Sequence, residues 1–192
     1  MERAQVRSTI LFVPGLRDHV PEHWQSLLAQ ALPGSRTVEP LTHDKLSCAA
    51  RVEALDEAVA AIEGPVVLVA HSAGCLMVAH WAEKHRRPVA AALLACPVDA
   101  ETPLPAGYPT PEELRSNGWL PIPRRPLPFR TVVGVSSNDP LAAQDRTEAL
   151  AEAWGGETVR LGEVGHLNPA AGYGPWPAGL RLIQSLRAAA HG

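Results

Sequence analysis

No apolar run in this 192-residue chain approaches the roughly 20 residues that a membrane-spanning helix requires, so a bilayer is not an expected partner. Cysteine is scarce. Cys48, Cys75 and Cys96 are odd in number, far apart and set among apolar or helical residues. That pattern argues against a disulfide framework and leaves no Cys-x-x-Cys redox pair; reduced thiols in a cytoplasmic protein are the expectation. An excess of one charge is also missing: 17 basic against 20 acidic residues give a net −3, and the basic residues form no stripe, so nucleic acid is not expected. The charged opening segment, Met1–Arg7, has no long apolar core behind it and does not read as a secretory signal. Metal ligands are sparse as well. His19 and His23 have ligand spacing, but Pro21 interrupts them and no third ligand is evident. The first strand ends in Pro14-Gly15-Leu16-Arg17-Asp18 and not in a Gly-x-Gly-x-x-Gly turn, which argues against a phosphate- or nucleotide-binding fold. No cofactor and no metal are expected.

Proline, by contrast, is abundant at 19, and many of these residues cluster between Pro97 and Pro128. The rest of the chain alternates apolar strands with amphipathic helices. Thr9–Val13, Arg36–Glu39, Val66–Ala70, Val89–Ala95, Arg130–Ser136 and Glu157–Leu161 read as strands. Helices are expected from Pro21 to Leu32, around Val52–Ile62, over Ala73–His85, over Leu141–Trp154, and at the C-terminus on Leu182, Ile183, Leu186, Ala189 and Ala190. His80 and His85 are read as surface residues of the third of these. Such alternation implies parallel crossovers and an α/β sheet covered on both faces. One domain over 1–192 is expected, with 97–128 as an insertion and a candidate minimal lid.

The chemistry concentrates after the third strand, where Ala70-His71-Ser72-Ala73-Gly74 joins a buried strand directly to a helix. A residue at the apex of so tight a turn is strained, and the positions two before and two after it must be small. Ala70 and Gly74 meet that demand, so Ser72 is read as a nucleophile, with a simple helix cap as the alternative. A Ser hydroxyl needs a His base and a carboxylate to orient the His. Asp139 follows the fifth strand and His166 the sixth, both at ends where a parallel sheet binds ligands. Alone, Asp139 would read as a turn residue before proline and His166 as a loop residue; Asp99, after the fourth strand, is the other acid in a suitable loop. The amides of Ala73 and Leu16 are the expected oxyanion donors. Trp119, Ile122 and Trp176 are expected to line a substrate pocket, and the Gly172–Pro177 loop to serve either packing or the pocket wall.

Taken together, Val13-Pro14-Gly15, His23-Trp24, the Ala70–Gly74 elbow, Ser136-Ser137-Asn138-Asp139-Pro140 and Gly165-His166-Leu167-Asn168-Pro169 resemble the bacterial YdeN and retinoblastoma-binding-protein-9 family of small serine hydrolases, over nearly the whole chain. The resemblance implies an α/β-hydrolase fold with a six-stranded, mostly parallel sheet of order 2-1-3-4-5-6, helices on both faces and a small or absent lid. It carries Ser72, Asp139 and His166 over as a Ser-Asp-His triad acting on an ester or related acyl bond of a small molecule through an acyl-enzyme. The alternative is a protein-interaction module on a hydrolase scaffold with little turnover, since fold does not fix function. Acyl-chain preference and oligomeric state are not legible from the sequence.

Overall fold

The computed structural model describes residues 8–189; Met1–Arg7 and Ala190 of the expected last helix lie outside the described residues. The apolar runs pair as one all-parallel sheet of β1 (Thr9–Val13), β2 (Arg36–Thr37), β3 (Val66–His71), β4 (Ala91–Ala95), β5 (Arg130–Ser136) and β6 (Glu157–Gly162), in the order 2-1-3-4-5-6. Among the described residues six α-helices surround it: α1 (Trp24–Ala31), α2 (Cys48–Ala60), α3 (Ala73–Lys84), α4 (Pro111–Ser116), α5 (Gln144–Ala153) and α6 (Pro177–Ala189). Parallel strands require crossovers, and these bury the sheet on both faces. The period-2 alternation divides the strand residues cleanly. Leu11, Val13, Leu68, Leu94 and Val133 pack with α2, α3 and α5, whereas Ile10, Phe12, Val67, Val69 and Leu93 pack with α1 and α6.

Several boundaries differ from expectation for local reasons. Helix α1 begins at Trp24 and not at Pro21, because His23 is its N-cap and accepts the Gln25 N–H at Nδ1. Helix α5 begins at Gln144, three residues late, because Asp139 Oδ1 takes the Leu141 N–H at 2.8 Å and holds that stretch in a turn. Strand β2 is only two residues long, although the Val38 N–H still donates to Phe12 C=O at 3.0 Å. The Pro97–Pro128 stretch is irregular apart from α4, which carries a Thr110/Glu113 capping box, and it is packed down, not loose. Leu114, Trp119 and Ile122 are buried in the same core as α2 and α3, and Trp119 Nε1–H donates to Leu46 C=O at 2.7 Å. That packing explains why His80 of α3 is half-buried and not on the surface: its Nε2 lies 3.0 Å from Trp119 C=O. His85 is not free either, its Nδ1 lying 3.0 Å from Asp56 Oδ1.

All three cysteines are buried and unpaired in disulfides. Burial pushes the Cys48 thiol up to about 11, against a smaller opposing pull from Lys84, and raises Cys75 and Cys96 as well. No helix of the described residues is long and apolar enough to cross a membrane.

The junction that matters most joins β3 to α3. The helix starts so close to the end of β1 that a Cβ on Gly74 would lie 2.3 Å from the Val13 carbonyl oxygen and 2.8 Å from that of Pro14. Only glycine fits. Gly74→Ala should therefore force α3 away from β1 and destabilise the fold by about 1–3 kcal/mol, the usual cost of overpacking, read as a lower urea midpoint at unchanged m-value.

Candidate active site

Ser72 occupies the apex of that junction with φ 57° and ψ −126°, a conformation that L side chains rarely adopt. It sits at the N-cap position of α3, but its side chain makes no capping hydrogen bond. Its Oγ instead donates to His166 Nε2 at 2.8 Å, and His166 Nδ1 lies 2.8 Å from Asp139 Oδ2 and 3.0 Å from Oδ1. A carboxylate can only accept, so Nδ1 carries the imidazole proton and Nε2 is free to receive one from the hydroxyl. The His166 and Asp139 side chains are 5% and 3% exposed, so water competes little for this chain of bonds.

Each member arrives from a different strand end: Ser72 after β3, Asp139 after β5, His166 after β6. Side chains from three separate segments, the end of β3, the start of α1 and the loop after β5, pin the main chain of the loop holding His166. Asn138 Oδ1 accepts the Gly165 N–H at 2.7 Å, His71 Nε2–H donates to the His166 carbonyl at 2.8 Å, and Trp24 Nε1–H donates to the Leu167 carbonyl at 3.1 Å. Gly165 adopts φ 57° as glycine readily does, whereas Leu167, at φ 49°, holds a left-handed conformation uncommon for its residue type. Asp99, the other acid in a suitable loop, is engaged elsewhere, accepting from both Arg146 Nε and Nη2 at 2.8 and 3.0 Å.

Ser72 opens into a cavity of about 460 Å³. Leu46, Leu76, Val98, Leu104, Leu114 and Trp119 give it an apolar lining, while His23, Arg17 and Lys45 also border it. Ala73 and Leu16 line the same space beside Ser72, and among the described residues no group accepts from either amide. Gly15 is nearly in contact with the serine, since a Cβ there would lie 3.2 Å from Ser72 Cβ.

A family model described as serine hydrolase matches residues 10–185. The chain belongs to this serine hydrolase family. Among solved structures, one described as a YdeN-like hydrolase, from Pectobacterium atrosepticum, is 29% identical at a TM-score of 0.81, covering 97% of this chain and 94% of its own. The ydeN gene product of B. subtilis has the same fold at 15% identity and TM-score 0.74, covering 94% of this chain and 99% of its own. An α/β superfamily hydrolase from Oenococcus oeni shares it too, at 16% identity and TM-score 0.64, covering 94% and 93%. No curated protein sequence matches the chain.

Within this serine hydrolase, two of the three expected pocket residues stand elsewhere. Trp119 is on the cavity wall, but Ile122 is buried in the core beneath the 97–128 segment. Trp176 lies across the sheet, its ring 4.8 Å from that of Trp24 and pressed onto Gly179, where a Cβ would fall 1.9 Å from Cε3. The Gly172–Pro177 loop thus contributes packing, through Trp176. An irregular segment has no periodicity from which to tell which side chains face a pocket, and an apolar aromatic is claimed by whichever core lies nearer.

Sequence reasoning also missed the histidines beside the site. His23, His71 and His166 form a column, with ring centroids 4.6 Å apart for the first pair and 4.8 Å for the second. Burial, and then the charge His166 can carry, lower the pKa of both His71 and His23, the latter to about 4. His23 accepts at Nδ1, so its proton is on Nε2, a buried donor with no partner among the described residues. Free imidazole titrates near 6.5, so between about 6.5 and 4 the unfolded chain binds a proton at His23 that the folded chain refuses. Stability is unaffected above that window and falls as pH drops through it. His23→Phe should remove one proton from this linkage, making the slope of unfolding free energy shallower by up to ~1.4 kcal/mol per pH unit, while His71 keeps part of it. Urea unfolding at a series of pH values measures the difference.

Proposed function

We propose that the protein hydrolyses an ester or related acyl bond of a small molecule with an apolar acyl group, through an acyl-enzyme on Ser72. The reading rests above all on the serine: held at positive φ, it gives its hydroxyl to His166 and not to the helix it precedes. As Ser72 Oγ attacks the acyl carbon, its proton passes to His166 Nε2, and the carbonyl oxygen becomes an oxyanion within reach of the Leu16 and Ala73 amides. Asp139 keeps the imidazole in the required tautomer and balances its charge. Collapse of the tetrahedral adduct breaks the bond to the leaving oxygen, which takes the proton from Nε2. Water then repeats the cycle on the acyl-enzyme and releases the acid. His71 and His23 remain neutral near pH 7, so neither opposes the charge that forms on His166.

The apolar wall formed with the Pro97–Pro128 segment supports an acyl group as the cavity's occupant. In this reading the segment is a fixed wall and the chain a single domain. Protonated, unpaired thiols fit a reducing, cytoplasmic setting.

Fluorophosphonate should label the protein at Ser72, and Ser72→Ala should abolish both labelling and cleavage of p-nitrophenyl esters; absence of labelling would overturn the proposal. Asp139→Asn should lower kcat by on the order of 10⁴ by favouring the wrong tautomer. Leu104→Trp narrows the wall at a half-buried position and should cut kcat/KM for an octanoyl ester at least ~10-fold relative to the acetyl ester, since a lost methylene contact is worth roughly 10-fold or more. An unchanged chain-length profile would remove this wall from the acyl site.

A further inference from the structure

Arg51, on α2, is 3% exposed, yet its charge contributes nothing to the reaction as described. Its guanidinium is spent almost entirely on one turn. Nη1 donates to Asp18 Oδ1 at 3.0 Å and, at longer range, to the Gly15 carbonyl at 3.4 Å; Nη2 donates to the Leu16 carbonyl at 3.2 Å. Nε is taken by the Lys45 carbonyl at 2.6 Å. Asp18 closes the same turn by donating its N–H to the Gly15 carbonyl at 3.1 Å, and it holds φ 53° to do so. A buried ion pair is weak evidence for stability, because apolar side chains of similar volume often serve as well or better. Here the pair spans the sequence gap between α2 and the exit of β1, and its hydrogen bonds go to the carbonyls on either side of one amide.

That amide is Leu16 N–H. The Gly15 carbonyl and the Leu16 N–H belong to one planar trans peptide and therefore point in opposite directions. With the carbonyl held by Asp18 N–H and Arg51, the N–H must face away from them, and among the described residues nothing accepts from it. Gly15 meanwhile abuts Ser72, with the position of an added Cβ 3.6 Å from Oγ. We infer that Arg51, paired with Asp18, is a positioning residue that fixes the direction of the Leu16 amide as the second oxyanion donor. The inference rests on the reading of Ser72 as nucleophile. A guanidinium is suited to the task because its planar fork can hold two carbonyls and a carboxylate at once; a lysine ammonium cannot reproduce that geometry.

The test is kcat per competent site for Arg51→Met and Arg51→Lys, with sites counted by fluorophosphonate titration. Loss of an oxyanion donor costs about 10²–10³ in rate, and a misdirected one should cost less. Arg51→Met should lower kcat per titrated site by about 10- to 100-fold with KM within about twofold. Affinity for a trifluoromethyl ketone, whose adduct carries an oxyanion, should fall in parallel, and the pH at half-maximal rate should not move, because His166 is untouched. Arg51→Lys keeps the charge and the stem and serves if the methionine variant does not fold; it should show the same kcat loss to a smaller degree. Unchanged kcat per titrated site, with only the melting temperature or the competent fraction reduced, would overturn the inference. If the native protein is not labelled at Ser72, it is the nucleophile reading that fails, whatever the Arg51 variants do.

Discussion

The near-contact between the start of α3 and the end of β1 governs everything at the carboxyl edge of the sheet. Gly74 lets the helix rest against the Val13 and Pro14 carbonyls, and so short an approach leaves the intervening residue no relaxed conformation. Ser72 is lifted to φ 57° as a result, its side chain turned from the helix end towards the loops beyond β5 and β6. The strain is held in place by parallel pairing on both sides, since β3 lies between β1 and β4 in the interior of the sheet.

Around that fixed point the protein makes its loops rigid by hydrogen-bonding their backbones with side chains. Asn138, His71 and Trp24 hold the segment at His166, and Arg51 with Asp18 holds the turn at Leu16. His71, Trp24 and Arg51 are buried and belong to β3, α1 and α2, so the loops whose carbonyls they hold are tied to packed elements. The histidine column adds an electrostatic condition. Burial lowers the pKa of His71 and His23, so both of these rings are neutral near pH 7.

The parallel strands, the elbow turn and the Ser72, Asp139, His166 set were legible because each is a local pattern: an apolar strand, a small-residue turn, a polar residue just past a strand end; the order of the strands came from the family resemblance. What failed to show was set by distance in sequence. Ile122 and Trp176 looked like pocket residues because both lie in irregular, proline-rich stretches, where no period reveals which way a side chain points; one joined the core beneath the insertion and the other stacked on Trp24. Arg51 read as one more charge on a helix face, and His71 as part of a motif, because their partners lie 33 to 36 and 95 residues away. The late start of α1 was in principle readable, since a histidine can cap through Nδ1, but proline at position 21 was the louder signal.

The cysteines, finally, shape how the molecule meets an electrophile. Cys48, Cys75 and Cys96 are buried, and burial keeps their sulfurs protonated far above neutral pH. Thiolates would ordinarily outcompete a hydroxyl for an acylating or phosphorylating reagent, but here none is presented to solvent. An electrophile that enters the cavity therefore meets no ionised sulfur, so any covalent adduct formed there near neutral pH reports on the oxygen and nitrogen side chains that line it.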